Sequence, residues 1–247
     1  MKLSVQCYTV RDLIAADLWG TLRALKDIGL NFVEVGGTFG VTAEELRKGL
    51  DDLGLGVNAN HCGMNQLATD PEAIIAENQA LGCRHAVISS VGKDRWSQGW
   101  ATVAKEIEPL GAKLRDAGIT LSYHNHAFEF TPEEGQPGLD ILYAEAPLLS
   151  AQLDVYWVAF GNADPAAYIR KMAGRLPTVH LKDGKLGGAD PIFLEVGQGD
   201  LDWDDILAAC AEAAPEFGAI EQDTCQRDPL ESVRMSVEFL RGRGITE

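Results

Sequence analysis

The chain has 247 residues, of which 46% are hydrophobic and 23% are charged, and its formal net charge is −16. A chain of this length can bury a sizeable core without disulfides, and its composition is that of an ordinary globular protein. The strong negative charge repels phosphate backbones and anionic membrane surfaces, so we expect neither a nucleic-acid partner nor a membrane partner.

Short apolar runs alternate with amphipathic segments along the chain. The runs predict eight strands, over residues 3–9, 32–36, 57–61, 85–90, 120–126, 151–156, 178–182 and 219–223. The amphipathic segments predict helices over residues 18–28, 43–53, 71–81, 100–117, 139–145, 166–173, 203–213 and 229–241. The helix at 139–145 has the weakest pattern. Thr42 with Glu45, and Asp70 with Pro71, mark two helix starts.

Repeated strand–helix units predict an α/β fold, and their number favours a single closed (β/α)₈ TIM barrel. Such barrels typically have ~250 residues. A doubly wound open sheet is the rival fold, but no G-x-G-x-x-G follows the first predicted strand. No linker or low-complexity segment separates a second domain, so we predict one domain over residues 1–247.

Cysteine usage and the apolar segments predict where the protein works. The five cysteines are odd in number and lack C-x-x-C spacing, so we expect no disulfide framework and a reducing, cytoplasmic setting. The amino-terminal residues lack the long apolar segment of a secretion signal, and no run of ~18 apolar residues predicts a membrane span. The sequence is compatible with a homo-oligomer but does not specify one.

Four consecutive predicted strands end in side chains capable of chemistry. In a TIM barrel the active site lies at the carboxyl ends of the strands, and strand residues two apart share a face. Buried charges at such positions need partners or a metal. We therefore predict a divalent metal (Mn²⁺, Zn²⁺, Co²⁺, Fe²⁺ or Mg²⁺, rather than Ca²⁺). The predicted ligands are His124, Asp154, His180 and Glu221.

The chain resembles the sugar phosphate isomerase/epimerase family of the xylose isomerase-like TIM barrel superfamily, in the segments VQCYTVRD, SYHNHAFEF, LDVYWV, VHLKD and AIEQD. The resemblance implies a divalent metal and chemistry at a hydroxyl-bearing carbon beside a carbonyl. In the better-known epimerases of that superfamily, Glu, Asp, His and Glu from strands five to eight hold the metal. Asp154, His180 and Glu221 match the last three, whereas His124 stands where the first Glu is expected.

This departure argues against a two-base epimerisation, because those epimerases use two ligand glutamates as opposed acid and base. Isomerisation, dehydration or a related elimination, using one carboxylate and another base, stays open. We predict Glu221 as the base and His126 and Lys182 as further catalytic residues. The alternatives are a salt bridge from Lys182 to Asp154 or Asp183, and an orienting hydrogen bond from His126.

Polar side chains at other strand ends and in the loops are weaker candidates. Their functional interpretation is hydrogen bonding to substrate hydroxyls, and the alternative is ordinary capping of the barrel mouth. These predicted substrate-binding residues are Gln6, Tyr8, Glu34, His61 and Glu129.

Together these features predict a metal-dependent isomerase or epimerase. Its partner would be a small carbohydrate, a keto-sugar or a cyclitol, from which it removes a proton next to a carbonyl. An inosose dehydratase-like lyase is the main alternative. An abasic-site endonuclease relative would need a basic DNA groove, and a non-catalytic sugar-binding barrel would need no base. The sequence does not say whether the substrate is phosphorylated.

Overall fold

The computed structural model describes residues 1–245 and contains twelve strands in this part of the chain. In chain order they are β1 (Lys2–Gln6), β2 (Phe32–Val35), β3 (Gly56–Cys62), β4 (His85–Ile88), β5 (Thr120–His124), β6 (Pro132–Glu133), β7 (Gln136–Pro137), β8 (Ser150–Asp154), β9 (Thr178–Leu181), β10 (Asp183–Lys185), β11 (Ile192–Leu194) and β12 (Phe217–Ile220).

Eight of these strands close into a parallel barrel in the order β1-β12-β9-β8-β5-β4-β3-β2. The first strand pairs with both the last and the second, for example Val5 with Ile220 and with Val33. The remaining strands form two short antiparallel hairpins, β6–β7 and β10–β11, in loops beyond the carboxyl ends of β5 and β9. The predicted (β/α)₈ barrel is therefore confirmed.

Helices surround the barrel, and all eight predicted helices are present. The described residues form α1 (Arg11–Ala16), α2 (Leu18–Asp27), α3 (Ala43–Leu53), α4 (Met64–Thr69), α5 (Pro71–Ala80), α6 (Lys93–Trp96), α7 (Trp100–Asp116), α8 (Gly138–Glu145), α9 (Val155–Phe160), α10 (Pro165–Lys171), α11 (Trp203–Ala213) and α12 (Pro229–Gly242). The short helices α1, α4, α6 and α9 were not predicted, because each lies in or next to a loop and spans few turns.

The helix starts follow the local chemistry of the sequence. Thr42 and Glu45 form a reciprocal capping box at the start of α3. The Asp70 carboxylate accepts from Ala73 N and caps α5, whose first residue is Pro71. One side chain of α5 reaches the barrel mouth.

Several strands end earlier than predicted, and this shapes the site. β1 ends at Gln6 and continues as a 3₁₀ helix over Cys7–Val10, so the prediction that Tyr8 lies on the first strand is wrong. β5 ends at His124 and β12 at Ile220, which places His126 and Glu221 in the loops that follow. The backbone leaves the parallel ladder at these points, where it turns over the barrel mouth.

The apolar core lies between the strands and the surrounding helices. Leucines such as Leu22, Leu46 and Leu50 are fully buried against it. All five cysteines are unpaired thiols, and four of them are buried. Within residues 1–245, no helix combines the length and apolar character needed to cross a membrane.

Candidate functional site

The carboxyl ends of the barrel strands surround a cavity of about 580 Å³. Six of the predicted site residues line it: Gln6, Tyr8, His61, His124, His126 and Glu221. Five others are buried behind this lining: Glu34, Glu129, Asp154, His180 and Lys182. The structure therefore brings the strand-end side chains together at one mouth of the barrel.

The four predicted metal ligands converge. Each of His124, Asp154, His180 and Glu221 offers one ligand atom, and these atoms all lie within 4.8 Å of one another. Asn125 joins two of the strand ends, because its Oδ1 accepts from the backbone N of Asp154 at 3.1 Å. We call these four residues the quartet.

The quartet has the donor set of a divalent metal site. Two imidazoles and two carboxylates suit Zn²⁺, Mn²⁺, Co²⁺ or Fe²⁺, and all four residues are buried. Among the described residues nothing pairs with the buried Nδ1 of His124, whose Nε2 lies 4.0 Å from Asp154 Oδ2. An unpaired buried ring nitrogen is costly, and coordination would satisfy it. The residues present thus fit a metal.

His180 is held by a carboxylate at each ring nitrogen. Its Nδ1 lies 2.8 Å from Glu221 Oε2, and its Nε2 lies 2.6 Å from Glu34 Oε1. Burial alone would lower the pKa of His180, but the charges of Glu34 and Glu221 outweigh it and raise the pKa to about 10. Two carboxylates therefore fix the orientation of the His180 ring.

Glu34 is the hub beneath the cavity. It is fully buried, and its Oε1 also accepts from Gln6 Nε2 at 2.8 Å and lies 2.7 Å from His61 Nε2. Its Oε2 accepts from Asn58 Nδ2 at 2.9 Å and from Gln152 Nε2 at 3.0 Å. Burial opposes ionisation, but His180 and His61 hold the pKa of Glu34 well below its usual range. With both oxygens occupied, Glu34 orients other side chains, which does not favour its predicted contact with substrate.

Lys182 is fully buried and bridges three carboxylates. Its Nζ lies 2.9 Å from Asp154 Oδ2, 2.8 Å from Glu221 Oε2 and 2.9 Å from Asp223 Oδ1. Burial would lower the pKa of Lys182, but these carboxylates raise it well above its usual value. The ammonium therefore stays charged and ties two members of the quartet to the loop after β12.

Asp183, the other partner considered for Lys182, has a different role. Its Oδ2 accepts from Gly197 N at 2.9 Å, Gly199 N at 3.1 Å and Trp203 Nε1 at 2.7 Å. This buried carboxylate holds the loop that leads from β11 into α11. The salt bridge from Lys182 to Asp183 is thus not observed, whereas the one to Asp154 is.

The two carboxylates of the quartet differ in their surroundings. Burial raises the pKa of Asp154 to about 6, against the opposing charge of Lys182. Burial would also raise the pKa of Glu221, but the charges of Lys182 and His180 keep it well below the usual value. Glu221 is consequently a carboxylate that lines the cavity in its ionised form, as a proton acceptor must be.

His126 lies on the cavity wall within an aromatic cluster. Its ring stacks on Phe128 with centroids 5.8 Å apart, and Trp157 lies 5.7 Å away. Burial, followed by the charge of Lys182, lowers the pKa of His126 to about 4, so the ring is neutral near pH 7.

Glu129 supports this segment from behind. Its Oε1 accepts from Tyr123 Oη at 2.8 Å and its Oε2 from His126 N at 2.9 Å. Burial raises the pKa of Glu129 to about 7 despite these hydrogen bonds. Because Glu129 is fully buried, the arrangement favours a supporting role over its predicted contact with substrate.

The remaining predicted residues lie on the cavity lining. Gln6 donates to Glu34 and accepts from Tyr8 N at 3.1 Å. Tyr8 is 51% exposed, and its ring lies 4.1 Å below the Arg11 guanidinium at the rim of the cavity. His61 Nε2 lies 2.7 Å from Gln152 Oε1. Their substrate contacts stay predictions.

The lining also includes residues outside the predicted site set. Asp223 lies on the β12 side, and Gln66, Glu77, Ser89 and Ser90 lie on the β3–β4 side. Glu77 is on α5, and no strand-end pattern points to a helix residue. The available signal was the helix start at Asp70 and Pro71, which marks where α5 begins after β3.

A closed (β/α)₈ barrel with buried imidazoles and carboxylates at the carboxyl ends of its strands defines a TIM-barrel protein with a candidate metal centre. The chain belongs to the xylose isomerase-like TIM barrel family, whose family model matches residues 22–242. The family and its similar structures are enzymes such as isomerases, epimerases and dehydratases.

Several relatives are similar in sequence. The rhizopine catabolism protein MocC of Rhizobium meliloti is 24% identical over 260 residues, which cover 89% of this chain and 79% of that protein. An inosose dehydratase of Clostridium perfringens is 24% identical over 162 residues, covering 58% of this chain and 54% of that protein. The match thus spans about half the length of the dehydratase.

Solved structures share the fold along the whole chain. A sugar phosphate isomerase/epimerase from Parabacteroides distasonis has a TM-score of 0.86 at 19% identity, covering 100% of this chain and 99% of that chain. An L-ribulose 3-epimerase has a TM-score of 0.74 at 18% identity, covering 99% and 95%. The IOLI protein with a zinc atom has a TM-score of 0.75 at 13% identity, covering 100% and 98%.

Proposed function

We propose that this chain is a metal-dependent enzyme that removes a proton next to a carbonyl in a sugar or sugar-like substrate. Its reaction is an isomerisation or epimerisation, and it takes place in the cytoplasm. The main support for this proposal is that the ligand atoms of the quartet lie within 4.8 Å of one another, beside a cavity of about 580 Å³. The similarity to sugar isomerases and epimerases supports the same reaction class.

The quartet would hold the metal through two imidazole nitrogens and two carboxylate oxygens. When bound, a divalent ion supplies charge that stabilises the electron density developing on the substrate carbonyl oxygen. Glu221 lines the cavity as a carboxylate and takes the proton from the carbon beside the carbonyl. Lys182 keeps Glu221 ionised and in place through its contact at 2.8 Å.

His126 completes the proposed catalytic set from the β5 side of the cavity. The ring is neutral, so it can accept a hydrogen bond from a substrate hydroxyl or take up its proton. For an isomerisation, the proton returns to the neighbouring carbon while a hydroxyl proton moves between the two oxygens. Gln6, Tyr8 and His61, on the lining, are the proposed contacts for the remaining hydroxyls.

A lyase of the inosose dehydratase type is the second candidate. The observation in its favour is His124, which leaves Glu221 as the one glutamate in the quartet. An elimination needs one base to remove the proton and one group to protonate the departing hydroxyl. The inosose dehydratases among the sequence relatives are consistent with this chemistry.

Proton exchange with solvent tests the proposal. Metal-loaded protein in D₂O is incubated with ketoses and keto-inositols, and loss of the proton beside the carbonyl is followed by NMR. We expect exchange that requires the metal and falls ~10²–10⁴-fold in Glu221→Gln, as is typical for removal of a general base. Product analysis then separates isomer or epimer from dehydrated product.

Glu216→Gln is the matched control, because Glu216 precedes β12 at the opposite mouth of the barrel and contacts Lys2 and Arg84. It should exchange at the parent rate. Exchange that persists in Glu221→Gln would transfer the base role to His126. Absence of metal-dependent exchange with every substrate would contradict the proposed function.

A further inference from the structure

We infer that Glu77 on α5 accepts a hydrogen bond from a substrate hydroxyl at the far wall of the cavity. Glu77 thereby selects a neutral, unphosphorylated carbohydrate over its phosphate ester. This rests on the proposed function for the identity of the substrate as a sugar-like carbonyl compound. Glu77 would be a specificity-determining residue that lies on a helix and not at a strand end.

Glu77 is half-buried and held in place toward the cavity that it lines. Its Oε1 accepts from Asn60 Nδ2 at 2.7 Å, and the same amide group donates to Asn78 Oδ1 at 3.0 Å. Asn60 Oδ1 in turn accepts from Gly37 N at 3.3 Å. Within residues 1–245 no group donates to Glu77 Oε2, so this oxygen can accept from a ligand.

The position of Glu77 is opposite the quartet carboxylate proposed as the base. Glu77 belongs to the helix between β3 and β4, and Glu221 follows β12. In the eight-strand order, β4 lies four strands from β12 in either direction. A substrate whose carbonyl lies beside Glu221 therefore extends its other end across the mouth toward Glu77.

The groups around Glu77 are suited to hydroxyls. Gln66, Ser89 and Ser90 line the same side of the cavity as neutral donors and acceptors. A carboxylate accepts a hydrogen bond from a hydroxyl about twice as strongly as a neutral acceptor does. It repels a phosphate ester, which carries about −1.5 to −2 charge at pH 7.

The charges elsewhere in the site reinforce this selection. Glu221 and Asp223 also line the cavity, and Glu34 and Asp154 lie behind it. The cation Lys182 is already shared among three carboxylates, and His180 is held between two. With a divalent ion bound, the carboxylates would still outnumber the positive charges at the site. The cavity therefore favours neutral ligands over anions.

Calorimetry with metal-loaded protein tests the inference by comparing free ketoses and keto-inositols with their terminal phosphate esters, for example ribulose with ribulose phosphate. Inorganic phosphate is the simplest anionic probe. We expect parent compounds to bind at least ~10-fold more tightly than their esters and inorganic phosphate not to compete. Glu77→Gln should weaken binding of the parent compound ~10-fold. It should also lower the ratio of parent affinity to ester affinity ~10-fold.

Glu72→Gln is the matched control, since it makes the same change on α5 at an exposed position paired with Lys113. It should keep the parent preference. Tighter binding of an ester than its parent, or an unchanged preference in a folded Glu77→Gln protein, would overturn the inference. So would failure of every parent compound to bind. Selective binding without any proton exchange would instead contradict the proposed function alone.

Discussion

Nε2 of His180 lies 2.6 Å from Oε1 of Glu34, although the strands that carry the two residues are three apart around the barrel. His180 is on β9 and Glu34 on β2, so the contact crosses the barrel interior. The other ring nitrogen, Nδ1, lies 2.8 Å from Glu221. Glu34 thus fixes the orientation of the His180 ring relative to the other three residues of the quartet.

Replacing Glu34 by Gln should weaken metal binding without removing a ligand. The change substitutes an NH₂ donor for one of the two oxygens, which together serve five neighbours, so His180 loses its orientation. Loss of such a supporting group typically costs 10–100-fold in metal affinity. Calorimetric titration of the stripped variant with Zn²⁺ or Mn²⁺ measures this loss.

Glu195→Gln controls for removal of a buried carboxylate in general. Glu195 is buried outside the cavity lining, where Ser232 Oγ donates to it at 2.8 Å and Arg227 Nε lies 2.9 Å away. It should lower the free energy of unfolding but leave metal affinity unchanged. Equal metal affinities in Glu34→Gln and the parent would show that Glu34 does not orient the metal site.

The convergence of the quartet could be predicted from the sequence because it follows from the geometry of a parallel barrel. Parallel strands bring their carboxyl ends to one mouth, and residues two apart share a face. His124, Asp154 and His180 obey this rule, since each lies on its strand. Their convergence therefore needed no knowledge of the loops.

The positions of the other site residues depend on loops, burial and helix packing, which the alternation of strand residues does not predict. Tyr8 follows the early end of β1 and lies in a 3₁₀ helix, so it reaches the rim of the cavity. Glu34 and Glu129 have suitable chemistry, but their depth of burial depends on neighbours distant in sequence. Glu77 reaches the cavity from a helix, which requires the packing of α5 to be known.

His124 sets the metal preference in our account. His124→Glu replaces an imidazole nitrogen by a carboxylate oxygen, so we expect the ratio of Zn²⁺ to Mg²⁺ affinity to fall by at least ~10-fold and the native rate to fall as well. Calorimetry with each ion measures the ratio. His124→Gln is the companion variant, which offers an oxygen without the added charge. An unchanged ratio in both variants would mean that His124 does not contact the metal.

Glu129 predicts a dependence of stability on pH. Burial raises its pKa from 4.5 to about 7, so the folded protein binds this proton more tightly than the unfolded chain does. The stabilisation is therefore complete below pH ~4.5 and is lost as pH rises through ~7. Between pH 5.5 and pH 8 this group alone should lower the free energy of unfolding by about 2 kcal/mol.

Denaturant unfolding of the parent and of Glu129→Gln at both pH values isolates this contribution. The difference in free energy of unfolding between the two proteins should shift by about 2 kcal/mol in favour of the variant as pH rises. A difference that stays constant across this range would mean that Glu129 titrates near its ordinary pKa.

The most direct test of the central claim is calorimetric titration of chelator-stripped protein with Zn²⁺, Mn²⁺, Co²⁺ and Mg²⁺, because it needs no substrate. We expect at least one of these ions to bind at one per chain. We also expect Asp154→Ala to bind that ion at least ~100-fold more weakly, since one of four ligands is gone. Absence of binding for all four ions, or an undiminished affinity in a folded Asp154→Ala protein, would contradict a metal centre formed by His124, Asp154, His180 and Glu221.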